Sequence, residues 1–240
     1  MPARRVRTVV AAVVVVMALA GCRSGEKEKA APTGGSASGD ASATPSPSAA
    51  VKNYTARQLA KALITPPAGA AAVRRASGSY ADVLAKQSEG APKAGASGVS
   101  ACGALSKAEM KQFQKMPSAF IDFAQLERST SVQLLAAPGE LDRQAALAPM
   151  PEECRSTKAR MGGTTFTSKV VTDEPFDLAE GGRIRRTDEV SGGTKLHSWD
   201  VTFVGSGYVA TCAVFGTHVT RADAERLARR EYRKAAATLR

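Results

Sequence analysis

The chain has 240 residues, and 33 Lys and Arg against 22 Asp and Glu give it a formal net charge of +11. A basic balance can serve nucleic-acid binding, but the sequence contains no nucleic-acid motif, so we expect no nucleic-acid partner. The two histidines and four cysteines show no H-x-x-x-H or C-x-x-C spacing, so we expect no metal site and no cofactor.

Residues 1–21 have the organisation of a lipoprotein signal peptide. A basic start precedes the uncharged stretch 8–20, which is shorter than the ~20 apolar residues of a membrane-spanning helix. The sequence Leu-Ala-Gly-Cys at 19–22 resembles the bacterial lipobox. This resemblance implies cleavage between Gly21 and Cys22 and acylation of Cys22, including chains such as palmitate. The alternative, a buried cysteine at a helix end, does not explain the flanking signal and linker.

Residues 22–50 are predicted to be a lipidated N-terminus followed by a disordered tether. From position 23 onward the stretch is rich in Ser, Pro, Ala and Gly and has no aromatic residue and no Val, Ile, Leu or Met. Such a segment cannot bury enough apolar surface to offset its chain entropy. As a flexible coil it would span roughly 30 Å, so it would hold a domain near a membrane.

Residues 51–240 are long enough for one domain with its own core. Two capping boxes, Thr55–Gln58 and Ser106–Glu109, predict helices over 56–64 and 107–115. The other expected elements of this half are a helix or strand over 80–86, a loop over 87–100, paired strands over 119–127 and 130–136, and a helix over 138–148.

The C-terminal third is predicted to contain four strands and a long helix. The strands are Thr164–Val171, Arg183–Val190, Lys195–Val204 and Tyr208–Gly216, and the helix is Thr220–Leu239. In the third strand His197, Trp199, Val201 and Phe203 alternate with Ser198, Asp200 and Thr202, which predicts one apolar and one polar face. The fourth strand is apolar on both faces, as a central strand would be. The expected fold class is α+β, a twisted antiparallel sheet with packed helices.

Four segments of the domain carry a family resemblance. They are "YTARQLAKALITPPAGA" near the start, "ACGAL" at 101–105, "MPEECRS" at 150–156 and "GSGYVATCAVFG" at 205–216. Together with the lipobox, the tether and the terminal helix, they make the chain similar to actinobacterial lipoproteins whose outer domain resembles the extracellular sensor domain of PknH-type receptor kinases. The resemblance implies a mixed sheet with helices, disulfides and a cleft for an unidentified ligand.

If Cys22 is lipidated, three cysteines remain in the domain. The family resemblance, and their positions at the boundaries of predicted elements, favour a disulfide between Cys102 and Cys154. Cys212 lies in an apolar run and would then be a free, buried cysteine. Pairing of Cys154 with Cys212 is the open alternative.

No catalytic constellation is visible in the sequence. The chain has no G-x-S-x-G elbow. His197 is expected to pack on its strand, and His218 to lie at a turn. Trp199 and Phe203 could line an apolar pocket, while the competing interpretation makes them core residues. We therefore expect no catalytic residue.

The sequence predicts a non-enzymatic lipoprotein anchored at the extracytoplasmic face of the cell membrane. Its partners would be the membrane, through the lipid anchor, and a small apolar or envelope ligand. Two alternatives stay open, a cell-envelope hydrolase and a structural accessory protein of an envelope complex. An active site with a His and a carboxylate near a Ser would favour the hydrolase, and a flat basic or apolar patch would favour the accessory protein.

Overall fold

The computed structural model describes residues 52–89, 107–137, 139–161, 164–191 and 193–240. The predicted signal peptide, Cys22, the tether and Cys102 lie outside these residues. The helices are α1 (Ala56–Ala62), α2 (Tyr80–Gln87), α3 (Lys107–Lys115), α4 (Glu140–Leu147) and α5 (Arg221–Thr238), with a short 3-10 helix at Glu152–Cys154. The strands are β1 (Ala71–Ser79), β2 (Pro117–Gln125), β3 (Arg128–Ala136), β4 (Ser156–Met161), β5 (Thr164–Phe176), β6 (Gly182–Ser191), β7 (Thr194–Gly205) and β8 (Tyr208–Gly216).

The eight strands form one antiparallel sheet in the order β1-β2-β3-β8-β7-β6-β5-β4. The predicted α+β class is confirmed. The predicted pairing of 119–127 with 130–136 is also confirmed, because β2 and β3 form a hairpin. The expectation that Tyr208–Gly216 is a central strand is confirmed as well: β8 lies between β3 and β7, and eight of its nine residues are buried.

Helices α1 and α5 cover one face of the sheet. They contact each other, α1 packs on β1 to β3 and α5 packs on β7 and β8. The core beneath them is built from fully buried side chains such as Leu59, Ile121 and Phe203. Because the chain of β7 alternates, Trp199, Val201 and Phe203 point into this layer, as the alternation predicts.

Helix α4 lies on the opposite face, against β7 and β8. It contributes Ala146 and Leu147 to a second, smaller apolar cluster with Val204 and Val209. Helix α2 lies against β1 and β2, and its first turn is fixed by a capping box between Ser79 and Asp82. The second face is therefore covered only in part by apolar contacts.

The structure contains two strands that were not predicted from the sequence, and it buries the polar face of β7. Neither β1 nor β4 was expected, and residues 80–86, left open between helix and strand, are helical. The second face of β7 is polar, as the alternation predicts, but it is not solvated, since Ser198 and Thr202 are each only 5% exposed.

Candidate functional site

A row of polar and charged side chains crosses the second face of the sheet. Successive register partners across seven strands place seven residues in one line: Arg74, Asp122, Ser131, Ala213, Asp200, Arg185 and Asp173. We call this line the polar row. Six of its seven members are polar, whereas an adjacent row on the other face of the sheet is apolar at its five central positions: Ile121, Val132, Cys212, Val201 and Ile184.

Asp173 fixes one end of the polar row. Its Oδ1 accepts hydrogen bonds from Arg183 Nε at 2.8 Å and Arg185 Nε at 3.1 Å, and its Oδ2 accepts one from the Met150 N–H at 2.6 Å. The Asp173 carboxylate has no exposed surface. Burial by itself would raise its pKa, but the hydrogen bonds and the two guanidinium charges outweigh burial, so the pKa is lowered.

The same two arginines attach α4 to the sheet. Arg183 Nη1 donates to the Leu147 carbonyl at 3.5 Å, and Arg185 Nη2 donates to the Ala148 carbonyl at 3.3 Å. These carbonyls end α4, where a helix leaves its acceptors unsatisfied. The cluster of Asp173 with the two arginines, which we call the Asp173 clamp, therefore has a structural role: it fixes the C-terminal end of α4 against the sheet.

Asp200 and Asp122 present acceptor atoms that no described residue satisfies. Asp200 makes no hydrogen bond or ion pair within the described chain, and its pKa is raised to about 6 by burial and by the charge of Asp173, against the opposing charge of Arg185. Asp122 receives Arg74 Nη2 on Oδ2 at 2.8 Å, but its buried Oδ1 lacks a donor among the described residues. Burial also raises the pKa of Asp122, although the Ser131 hydroxyl and the Arg74 guanidinium both favour the charged carboxylate.

The polar side chains beside the polar row, on the same face of the sheet, are hydrogen-bonded to each other or to the backbone. Gln133 Nε2 donates to Ser118 Oγ at 3.3 Å, Ser118 Oγ donates to the Leu134 carbonyl at 3.0 Å, and the Thr202 and Thr211 hydroxyls lie 3.2 Å apart. Since the neighbouring polar groups are satisfied, the unsatisfied acceptors of Asp122 and Asp200 are specific features of the row and not a general property of this face.

Of the four cysteines, the structure describes Cys154 and Cys212. Cys22 and Cys102 lie outside the described residues, so lipidation of Cys22 and the Cys102–Cys154 disulfide stay predictions. Cys154 is buried at the end of the 3-10 helix, and it is not bonded to Cys212. Cys212 is a fully buried thiol at the centre of β8, and burial raises its pKa well above its usual range.

Trp199 and Phe203 do not line the depression found at one end of α5. Phe203 is fully buried in the core, with its ring edge-on to Tyr208 and Tyr232, and Trp199 packs at the margin of the same core. A depression of about 200 Å³ lies instead at the C-terminal end of α5. Its lining includes Tyr54, Glu180, Tyr208, Tyr232, Leu239 and Arg240.

His197 is part of a charged cluster on the α5 side of the sheet. Its Nδ1 lies 2.9 Å from Asp188 Oδ1, and Arg186 Nε donates to the same oxygen at 2.8 Å. This is the carboxylate–imidazole half of a hydrolytic triad. No Ser, Thr or Cys hydroxyl or thiol in the described part of the chain hydrogen-bonds His197, and the described ranges hold no group of three potential metal ligands. The geometry therefore supplies no activated nucleophile here.

Glu231 is a buried acid that the sequence reading did not single out. It is 0% exposed beneath α5, and its Oε2 accepts the Ile64 N–H at 2.9 Å, which joins α5 to the end of α1. Its Oε1 has no donor among the described residues. Burial raises its pKa to about 7, against the opposing charges of Arg230 and Lys234. The sequence contains a signal for this burial, because position 231 follows the buried Leu227 by four residues and so lies on the same side of the helix.

Comparisons with known proteins give two solved structures. One is the extracellular domain of PknH from Mycobacterium tuberculosis, with 9% identity, a TM-score of 0.49, and coverage of 78% of this chain and 99% of that chain. The other is a putative uncharacterized protein (Rv0999 ortholog) from Mycobacterium smegmatis, with 13% identity, a TM-score of 0.32, and coverage of 73% and 80%. No family model and no curated protein matches. These similarities are too low to establish a family, so the resemblance stays a prediction.

Within the described ranges, none of the helices combines the length and the apolar character needed to cross a membrane.

Proposed function

We propose that this protein is a lipid-anchored envelope lipoprotein whose domain binds a ligand at the polar row and does not catalyse a reaction. The anchor is inferred from the lipobox and tether sequence around Cys22. The observation that carries the binding proposal is the pair of carboxylates of Asp122 and Asp200 in one row. The buried Asp122 Oδ1 has no donor among the described residues, and the partly exposed Asp200 carboxylate makes no hydrogen bond to a described residue.

The chemistry of the row indicates the kind of ligand. Leaving a buried acceptor such as Asp122 Oδ1 without a partner costs about 1–3 kcal/mol, and a bound donor would recover that cost. Both free groups are carboxylates, so the complementary ligand presents hydroxyls or amines, as an envelope glycan does. Three strand spacings separate Asp122 from Asp200, which is roughly 14 Å, so an extended ligand can contact both.

The absence of an activated nucleophile at His197 favours binding over hydrolysis within the described residues. The Asp173 clamp supports the same view. Its carboxylate is fully engaged by two arginines and a backbone N–H, so it is not available as a general base, and Asp200 has no described partner that could orient it toward a reacting group.

Capture of bound material from native membranes tests the binding proposal. The tagged full chain is purified in mild detergent as wild type, as Asp122→Asn with Asp200→Asn, and as Asp188→Asn, a control on the other face. Bound glycans and lipids are extracted and identified by mass.

We expect one donor-rich species to accompany the wild type and the control and to be lost from the double variant. Recovery of the same species at the same level with all three proteins, or of no species with the wild type, would contradict a ligand site at the polar row.

A further inference from the structure

Helices α1 and α5 expose basic side chains on the same side of the sheet. Both helices lie on one face of the sheet and contact each other, so their outer sides point away from the sheet together. Apart from Arg221 at the start of α5, the exposed basic side chains are Arg57, Lys61, Arg226, Arg229, Arg230, Arg233 and Lys234. We call these seven residues the basic helix face.

Acidic side chains do little to neutralise this surface. Helix α1 contains no acidic residue. In α5, Glu231 points inward and is fully buried, Asp223 pairs with Arg226 at 2.7 Å, and Glu225 pairs with Arg221 at 2.7 Å. The other six members of the basic helix face make no ion pair with any described residue. A surface built this way concentrates positive potential.

The N-terminal segment joins the domain beside this surface. The Tyr54 hydroxyl donates to the Leu239 carbonyl at 2.6 Å, just beyond the last turn of α5. The chain therefore enters the fold at the C-terminal end of α5, the helix that carries Arg233 and Lys234. Residues 1–51 precede this point, and they contain the proposed lipid attachment at Cys22.

We infer that the basic helix face docks on an anionic lipid surface. The inference depends on the proposed lipid anchor, which keeps the domain at high local concentration near the membrane. Basic side chains close to an anionic bilayer attract it additively. Because α1 and α5 cover one face of the sheet and the polar row lies on the other, docking directs the polar row away from the membrane.

Vesicle partitioning tests docking without the lipid anchor. The mature chain, residues 22–240 with Cys22→Ser, is mixed with vesicles of phosphatidylcholine alone or with added phosphatidylglycerol, at low and high salt. The test variant carries Arg230→Gln, Arg233→Gln and Lys234→Gln. The matched control carries Lys111→Gln, Lys115→Gln and Lys158→Gln, which removes the same charge from exposed positions elsewhere.

We expect binding only to vesicles with phosphatidylglycerol, with release at high salt. The test variant should lose on the order of 100-fold in partition coefficient, at about one kcal/mol for each charge removed, while the control keeps the wild-type value. Equal losses in both variants, equal binding to neutral vesicles, or no binding at all would overturn the inference. The assay uses a chain that cannot be acylated, so it gives the same result whether or not Cys22 is lipidated in the cell.

Discussion

Replacing Glu231 by Gln removes a buried charge and keeps the shape of the side chain. The carboxylate lies between α5 and the end of α1, fully buried, with one oxygen on the Ile64 N–H and the other without a described donor. A pKa of about 7 in place of 4.5 corresponds to a penalty of about 3 kcal/mol for ionising the group in the folded state. The folded protein binds this proton more tightly than the unfolded chain does. The contribution to stability is therefore complete below about pH 4.5 and is lost as the pH rises through about 7.

Urea unfolding from about pH 5 to about pH 8 measures this effect. At the acidic end, Glu231→Gln and the wild type should have similar free energies of unfolding, because both side chains are neutral. At the basic end, the variant should be more stable by about 2–3 kcal/mol. The control Glu225→Gln, on the same helix and half-exposed, should show no such trend. A free-energy difference between Glu231→Gln and the wild type that does not change with pH would show that Glu231 does not ionise with a raised pKa in the folded protein.

Three further predictions concern the sheet. Asp173→Asn should lower the free energy of unfolding by about 3 kcal/mol at neutral pH, because it leaves the buried Arg183 guanidinium without its charged partner. Since the pKa of Asp173 is lowered in the folded protein, urea unfolding should show that the difference between variant and wild type shrinks as the pH falls below about 4. A difference that does not change with pH would contradict the ion pairing of Asp173 with the two arginines. Gly205→Ala should lower the free energy of unfolding by about 1–3 kcal/mol, because the new methyl group would overlap the buried Tyr208 ring. Thermal or urea unfolding measures this loss, and a variant as stable as the wild type would show that the Tyr208 ring can move aside. The Cys212 thiol should react with a maleimide only after unfolding, given its burial and raised pKa, and rapid labelling of the native protein would contradict its placement.

The elements with strong local signals could be predicted from the sequence. Thr55 and Gln58 form the capping box that their spacing indicates, and α5 buries Ala224, Leu227, Ala228 and Ala235, which recur at helical spacing. Strand β8 was identified as central because both its faces are apolar. In each case the signal is local, so neighbouring residues were enough to read it.

The two missed strands, β1 and β4, are the two edges of the sheet. An edge strand pairs on one side only and can carry charged and small residues, so its sequence shows little alternation. Strand β1 contains two adjacent arginines, and most of its side chains are partly or fully exposed. These strands were not predicted because edge-strand side chains are weakly buried and so leave little apolar alternation in the sequence.

The polar row could be predicted only in part. Alternation along β7 placed Asp200 on the polar face, but its alignment with Asp122 and Asp173 depends on the register of seven strands. Register between strands distant in sequence is set by tertiary packing and not by any local pattern. The burial of Ser198 and Thr202 likewise depends on what lies over the sheet.

Membrane partitioning of the Cys22→Ala variant is the direct test of lipid anchoring at Cys22. Wild type and variant are expressed in a host that processes lipoproteins, the cells are fractionated, and the N-terminal peptide is analysed by mass. We expect the wild type to fractionate with the membrane and to carry acyl chains on Cys22, and the variant to lose both properties. A variant that partitions with the membrane like the wild type, or a wild-type Cys22 without acyl chains, would contradict the proposal of a lipid-anchored envelope domain.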